Sequence, residues 1–438
     1  MSTIVALATA PMNCAIHIIR VSGPKAFEII NKISTIKIKK ETFKIWYTIL
    51  KDDNQILDEV LINTFVAPKT FTGEDLVEIN CHGGIVVANL IIKTLIKYGC
   101  QPAQRGEFSR RALLNKKMDL SKIEAINNLV NAKNELSVKG VIGALLGRVS
   151  QSIAEFKHEL FMIIGQIEVN IDYPEYDDIE QVDAIILKQR LLSLDKKITK
   201  IIDQSKKFLP INKGIRVLII GKPNVGKSTL LNALCNEQKA IVTDIPGTTR
   251  DVIESSINID NITLNILDTA GIHLTNDFVE NLGINKAKAL IDKVDLILYL
   301  IPANEQQDLE LYDLIKKEKH LLVYTKKDLV DQYDDKQIYI NAKNNDIQSL
   351  IDEIKKLFYV QEFDNANIDV LQSQRQIGIL ENVHYLINNA ILNLEKGDTL
   401  DLIVADLEFC NLRLNELLGI SSEYDFLDDL FKNFCIGK

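Results

Sequence analysis

The residues from Gly221 to Ser228 read GKPNVGKS and fit the pattern G-x-x-x-x-G-K-[ST]. The run directly follows the apolar stretch RVLII and opens TLLNALC, so it sits between an expected strand and an expected helix. In that setting Asn224, Val225, Gly226, Lys227, Ser228 and Thr229 form a loop and a helix start whose N–H groups face a polyphosphate. Lys227 would neutralise the β- and γ-phosphates, and Ser228 would offer its hydroxyl to Mg²⁺. Further signals follow in the order a GTPase needs. Thr249, in TDIPGTTRD, is placed to reach Mg²⁺ and the γ-phosphate. Asp268, Thr269, Ala270 and Gly271 end the stretch NILD, with the Asp behind the metal and the Gly amide beside the γ-phosphate. Thr325, Lys326, Lys327 and Asp328 end HLLVYT, and Asn341, Ala342 and Lys343 end YIN, where backbone is placed to touch the guanine oxygen.

Asp328 can accept two hydrogen bonds, from N1–H and the exocyclic amine of guanine. Adenine lacks that pair of donors, so the site is read as selecting GTP over ATP. The usual guanine motif begins with Asn, whose amide ties the base loop to the phosphate loop. Here Thr325 stands in its place and supplies only a hydroxyl, so weaker affinity is expected. Ile272 follows Gly271, and an alkyl chain cannot orient water. His273, Asp277 and Glu280 are the nearby candidates for that task, and each also reads as an ordinary solvated side chain. Arg250 is the nearest internal cation, so an added cation fits the charge requirement.

These loops need strands to hold them. From Gly214 to about residue 360 apolar β runs (RVLII, NITLNILD, DLILYLI, HLLVYT, QIYIN) alternate with helical stretches. That alternation predicts a parallel, doubly wound sheet. Residues 120–209 and the chain from about 371 onward carry helical apolar spacing, as in LLSLDKKITKIIDQSKKFL and LENVHYLINNAILNLE. The segment IDYPEYDD breaks the first helical run. Two helical stretches flanking an α/β unit point to one helical domain with the α/β unit inserted. Residues 1–118 mix strands (AIHIIRVS, DLVEINCHGG) with helices (FEIINKI, IVVANLIIKTLIKYG), an α+β pattern. The expected domains are therefore 1–118, 119–210, 211–370 and 371–438.

Length and composition agree. At about 150 residues per domain, 438 residues suggest about three domains. With 46% hydrophobic residues and a net charge of −9, the chain is neither disordered nor a globally basic nucleic-acid coat. The six cysteines form no C-x-x-C pair, which removes zinc-ribbon and thioredoxin-type readings and suits a reducing, cytoplasmic setting. No apolar run approaches the roughly 18–20 residues that span a bilayer. The first residues, MSTIVALATAPMNCAIHIIR, lack a basic start and read as an edge strand and loop rather than a signal peptide.

The wording TGED, HGG, RGEFSRRALLNKKMDL, GKPNVGKS, TDIPGTTRDV, DTAGI and the final CIGK resembles the tRNA-modification GTPase family MnmE (TrmE) along essentially the whole chain. The resemblance implies a fold of three parts: an N-terminal α+β domain like a tetrahydrofolate-binding domain, a helical domain, and an inserted Ras-like GTPase domain. It implies a homodimer joined through the N-terminal domain. It places nucleotide contacts in Thr243, Asp244, Ile245, Pro246, Gly247, Thr248 and Thr249 as well as in the motifs above. Potassium beside the nucleotide would be held by Asn224, Thr243, Ile245 and Thr248, in place of an arginine finger. Among the three water-orienting candidates the resemblance selects Glu280. It places a 5-formyl-tetrahydrofolate-type carrier on Arg20, Glu78, Lys117 and Lys438, where residue type alone would read Arg20 and Lys117 as surface cations. Cys435 corresponds to a cysteine assigned a part in the modification chemistry, and also reads as a buried helix-end thiol. The flavoprotein partner MnmG (GidA) and the tRNA wobble uridine, modified at C5, are implied by the resemblance alone. A reading of a different class takes the same GTPase motifs as a switch for ribosome or partner binding; the folate-type domain and CIGK argue against it. Besides Thr325, two stretches depart from the family: PMNCAIH, where a Gly-rich loop is usual, and SSEYDFLDDLF, which is shorter than usual.

Overall fold

The computed structural model describes residues 1–172, 183–236, 253–267, 291–334, 336–364, 369–420, and 431, 434 and 437. The chain divides into two compact units, Met1–Asn127 with Leu412–Lys438, and Asn128–Asn411.

The first unit is built on a six-stranded sheet of β1 (Ile4–Leu7), β2 (Ile16–Ser22), β3 (Lys44–Asp52), β4 (Gln55–Phe65), β5 (Leu76–His82) and β6 (Gln101–Pro102), in the order β3-β4-β5-β2-β1-β6. All neighbours are antiparallel except β1 and β6. β1 is therefore not the edge expected of it, because two-residue β6 pairs along its outer side. The long β3–β4 hairpin, which is not among the strands named from the sequence, turns at Asp53 with φ 51°. Helices α1 (Ala26–Ile33) and α2 (Ile85–Lys97) cover one face of this sheet. They pack Ile29, Ile30, Ile33, Ala88, Ile91 and Leu95 against Ile19, Val21, Ile62, Val77 and Ile79. α2 stops where Gly99 takes φ 113°, a conformation an L side chain rarely adopts. α3 (Glu107–Leu114) and the start of α4 (Leu120–Val130) complete the unit. Phe431 and Phe434 seal Leu113, Leu120 and Ile123.

In the second unit α5 (Glu135–Leu145), α6 (Arg148–Asp172) and α7 (Ala184–Lys213) lead into the second sheet. Leu187, Leu191, Leu194, Ile198 and Ile202 recur at helical spacing on α7 and are buried. The sheet is β7 (Ile215–Ile220), β8 (Ile253–Ile259), β9 (Ile262–Leu267), β10 (Leu296–Pro302), β11 (His320–Thr325) and β12 (Ile338–Tyr339), in the order β12-β11-β10-β7-β9-β8. It carries α8 (Lys227–Asn236), α9 (Leu309–Ile315), α10 (Gln348–Leu357) and α11 (Val360–Asp364), and the chain then runs into α12 (Gln374–Lys396) and α13 (Leu400–Leu418). The sheet is parallel as expected, with one correction: β8 pairs antiparallel to β9 at the edge. A short turn at Asp260 and Asn261 joins these two strands, and a turn that short forces antiparallel pairing. β10 is buried along its whole length, as a central parallel strand requires.

The two helical stretches on either side of this sheet meet. α7 packs along α12, with Lys206 to Glu381 at 2.6 Å, Lys188 to Glu395 at 2.7 Å, and the Asp195 carboxylate 2.6 Å from His384 Nδ1. The Leu371 N–H donates to Ser205 Oγ at 2.8 Å, closing the sequence that leaves the sheet back onto the helix that enters it. Gly140 is required at a crossing in this bundle, because a Cβ there would lie 2.1 Å from the Phe208 ring. Among the described residues no helix is long and apolar enough to cross a membrane.

Candidate nucleotide site

β7 ends at Ile220 and the chain turns at once. Gly221 has φ 151°, and a Cβ on it would meet the Leu300 carbonyl oxygen at 2.6 Å. β7 and β10 are neighbours in the sheet, so the glycine lets the loop leave between them. Asn224 (φ 61°) and Gly226 (φ 100°) complete the reversal, and α8 starts at Lys227. Val225 is buried in the core and anchors the loop, while Asn224, Ser228 and Thr229 are exposed. The Lys227 ammonium donates to the carbonyls of Gly221 at 2.7 Å and Lys222 at 3.2 Å, across the mouth of the turn. Burial pushes its pKa below the ordinary lysine value. The turn thus combines the N-terminus of a ten-residue helix, the Lys227 ammonium and the exposed hydroxyls of Ser228 and Thr229, a set of groups suited to a polyphosphate with its Mg²⁺.

The loop that follows β11 is tied to this turn. Thr325, at the end of β11, is buried, and its hydroxyl donates to the Val225 carbonyl at 2.8 Å. The link expected of an Asn amide is therefore made by a hydroxyl, and the substitution at 325 does not leave the two loops unconnected. Lys326 follows at φ 55° and starts the short 3₁₀ turn Lys327–Leu329, which presents Asp328 to solvent. Asp328 Oδ1 accepts from Asn341 Nδ2 at 2.9 Å. Lys327 lies 4.9 Å from the Tyr333 ring centroid and 3.4 Å from Asp346, so its stem flanks the loop. Asn341 caps the turn Ala342–Asn344, and Ala342 packs against the core. The side-chain role of Asn341 was not visible in the sequence, where only its backbone was assigned to guanine. Lys222 reaches Asp308 at 3.8 Å, a second contact the motif did not announce.

Much of the predicted site lies outside the described residues: Thr243, Asp244, Ile245, Pro246, Gly247, Thr248, Thr249, Arg250, Asp268, Thr269, Ala270, Gly271, His273, Asp277 and Glu280. Asn224 is the one predicted potassium ligand inside them. Among the described residues no group of three or more His, Cys, Asp and Glu is placed to hold a metal ion.

In the first unit Arg20 on β2 stands directly opposite Glu78 on β5. Arg20 Nε and Nη2 donate to Glu78 Oε1 at 2.9 and 2.8 Å, and Nη1 donates to the Gly437 carbonyl at 2.8 Å. The guanidinium also lies 5.7 Å from the Phe71 ring centroid and 5.6 Å from that of Phe108. It therefore joins the sheet to the C-terminal CIGK stretch. Cys435 and Lys438 lie outside the described residues. Lys117 is exposed, with its stem against Gly73. The TGED and RGEFSRR stretches hold each other: Arg111 bridges Glu74 at 3.0 Å and Glu107 at 2.8 Å, and Glu74 accepts from Ser22 Oγ at 2.8 Å.

Comparison with known proteins adds to this geometry. A model of the MnmE helical domain matches residues 120–435, and a model of the GTP-binding protein TrmE N-terminus matches residues 3–117. The tRNA modification GTPase MnmE of Ureaplasma parvum serovar 3 (strain ATCC 700970) is 99% identical over 438 residues, covering 100% of both chains. That of Mycoplasmoides gallisepticum is 46% identical over 446 aligned positions, with 100% of this chain and 98% of the relative covered. Among solved structures, the G domain of the T. maritima FeoB iron transporter aligns with 34% of this chain and 99% of its own, at 21% identity and a TM-score of 0.23.

Proposed function

Because this chain belongs to the MnmE family of tRNA-modification GTPases, we propose that it hydrolyses GTP in tRNA modification. In this reading, hydrolysis serves the installation of an aminomethyl-type or carboxymethylaminomethyl group at C5 of the wobble uridine of certain tRNAs, with the flavoprotein MnmG (GidA) as partner. The observation that carries the nucleotide part is the hydrogen bond from Thr325 to Val225. It sets the base-reading loop and the phosphate-holding turn in one register. The amides of the 221–228 turn and the Lys227 ammonium bind the phosphates. Ser228 and Thr249 hold Mg²⁺, and Asp328, oriented by Asn341, reads the guanine edge. Glu280 orients the attacking water. Potassium, held by Asn224, Thr243, Ile245 and Thr248, supplies the positive charge that an arginine finger provides elsewhere.

The N-terminal unit takes the 5-formyl-tetrahydrofolate-type carrier at Arg20, Glu78, Lys117 and Lys438. The paired Arg20 and Glu78 offer a fixed cation and carboxylate, suited to a ligand with an acidic tail and a donor-rich ring. The β3–β4 hairpin supports a homodimer, since Ile45, Tyr47, Ile56 and Leu61 are exposed on it. The protein works in the cytoplasm. The deciding measurement is GTP turnover by the full-length protein in K⁺ against Na⁺, with Glu280→Ala alongside. Faster turnover in K⁺, lost in the variant while GTP still binds, is expected. Turnover indifferent to the cation would remove the potassium role, and undiminished turnover by the variant would remove that of Glu280.

A further inference from the structure

α3 ends in a tight turn. The Lys116 N–H donates to the Leu113 carbonyl at 2.9 Å and the Lys117 N–H to that of Ala112 at 2.8 Å, with Lys116 at φ 55°. This turn sets both lysines beside the first turn of α4, where the Asp119 carboxylate accepts from the Lys122 N–H at 2.9 Å. Lys116, Lys117 and Lys122 therefore line one cleft of about 630 Å³, with Leu113, Leu418 and Ile420 among its walls. Met118, also on its wall, packs on the Leu113, Leu120 and Phe431 cluster. Asp119 is the one acid among the cleft's described lining residues, and its carboxylate is engaged in capping α4. In a chain of net charge −9, three lysines set positive charge around one concave, partly apolar space of small-molecule size.

The cleft adjoins the Arg20–Glu78 pair through a single loop. A Cβ on Gly73 would lie 3.0 Å from Lys117 Cγ, and Phe71, two residues earlier, has its ring centroid 5.7 Å from the Arg20 guanidinium. We propose that this cleft binds the γ-linked oligoglutamate tail of a folate, with Lys116 and Lys122 holding glutamates beyond the first. The inference rests on the folate reading of Arg20, Glu78 and Lys117 given above. Each added glutamate brings one carboxylate for an ammonium and two methylenes for the apolar wall. A nucleic-acid backbone fits less well, because its phosphates call for an extended basic track rather than three lysines around one cleft.

The test is calorimetry on the full-length protein with 5-formyl-tetrahydrofolate carrying one or three glutamates. The expected result is tighter binding of the triglutamate by about ten-fold at low salt, two modest ion pairs' worth, shrinking as salt rises. In a Lys116→Ala/Lys122→Ala variant the triglutamate should fall to the monoglutamate affinity, with the monoglutamate unaffected. Circular dichroism and the thermal midpoint verify that the variant folds. Equal affinity of the two ligands for the wild-type protein overturns the inference and leaves the folate reading standing. Failure of both to bind overturns both. A variant that keeps the triglutamate advantage but binds tRNA more weakly overturns it in favour of an RNA contact.

Discussion

Replacing Thr325 by Val keeps the shape of a buried side chain and deletes one hydroxyl. The Val225 carbonyl then loses its 2.8 Å donor inside the 221–228 turn. Leaving a buried acceptor without its partner costs about 1–3 kcal/mol. If the full amount appears in nucleotide binding, GTP affinity falls about 5- to 150-fold, at 1.4 kcal/mol per factor of ten. The bond joins two groups of the protein itself, so part of the loss appears as stability. A drop of roughly 2–4 °C in the thermal midpoint per kcal/mol is then expected for a unit of this size. Calorimetric GTP titration and a thermal melt of the same preparation separate the two shares. Thr325→Asn supplies an amide donor at the same place and should bind GTP at least as well as the Val variant. Wild-type affinity together with a wild-type melting temperature in Thr325→Val would refute the argument that this hydroxyl joins the loops.

Asp328→Asn exchanges an acceptor for a donor where guanine presents N1–H and an amine, so preference should move toward xanthine nucleotides; competition between GTP and XTP measures it, and unchanged preference refutes the base-reading role. Gly140→Ala places a methyl group 2.1 Å from the Phe208 ring and should destabilise the second unit by about 1–3 kcal/mol, read in denaturant melts. Burial pushes the thiols of Cys81 up to about 11 and of Cys100 and Cys410 up to about 12, whereas Cys14 is exposed. Thiolate, the reactive form, is therefore scarce at the three buried sites at pH 8 and rises only as pH approaches those values. Alkylation mapped by mass spectrometry should mark Cys14 well before Cys81, Cys100 or Cys410 in the native protein, and equal rates would contradict the packing.

The parts of this protein legible in its residues are those whose physics is local. GKPNVGKS needs only a preceding apolar strand, positive-φ positions and a following helix, all within about twenty residues. The apolar spacing of α7 and α12 announces helices because side chains three and four apart share a face. Other features depend on partners far away in the chain and had no local mark. Thr325 reads as a weakened motif until folding sets its hydroxyl on Val225, one hundred positions earlier. Asn341 reads as backbone until its amide meets Asp328. Arg20 reads as a surface cation until strand pairing places Glu78 opposite it and the C-terminal stretch brings Gly437 to its other nitrogen. The antiparallel edge strand β8 is the opposite case, set locally by the short turn at Asp260 and Asn261. Residue type and spacing determined which chemistry was available. Only the long-range register of strands, set by burial of their apolar face, decided which side chains share a site.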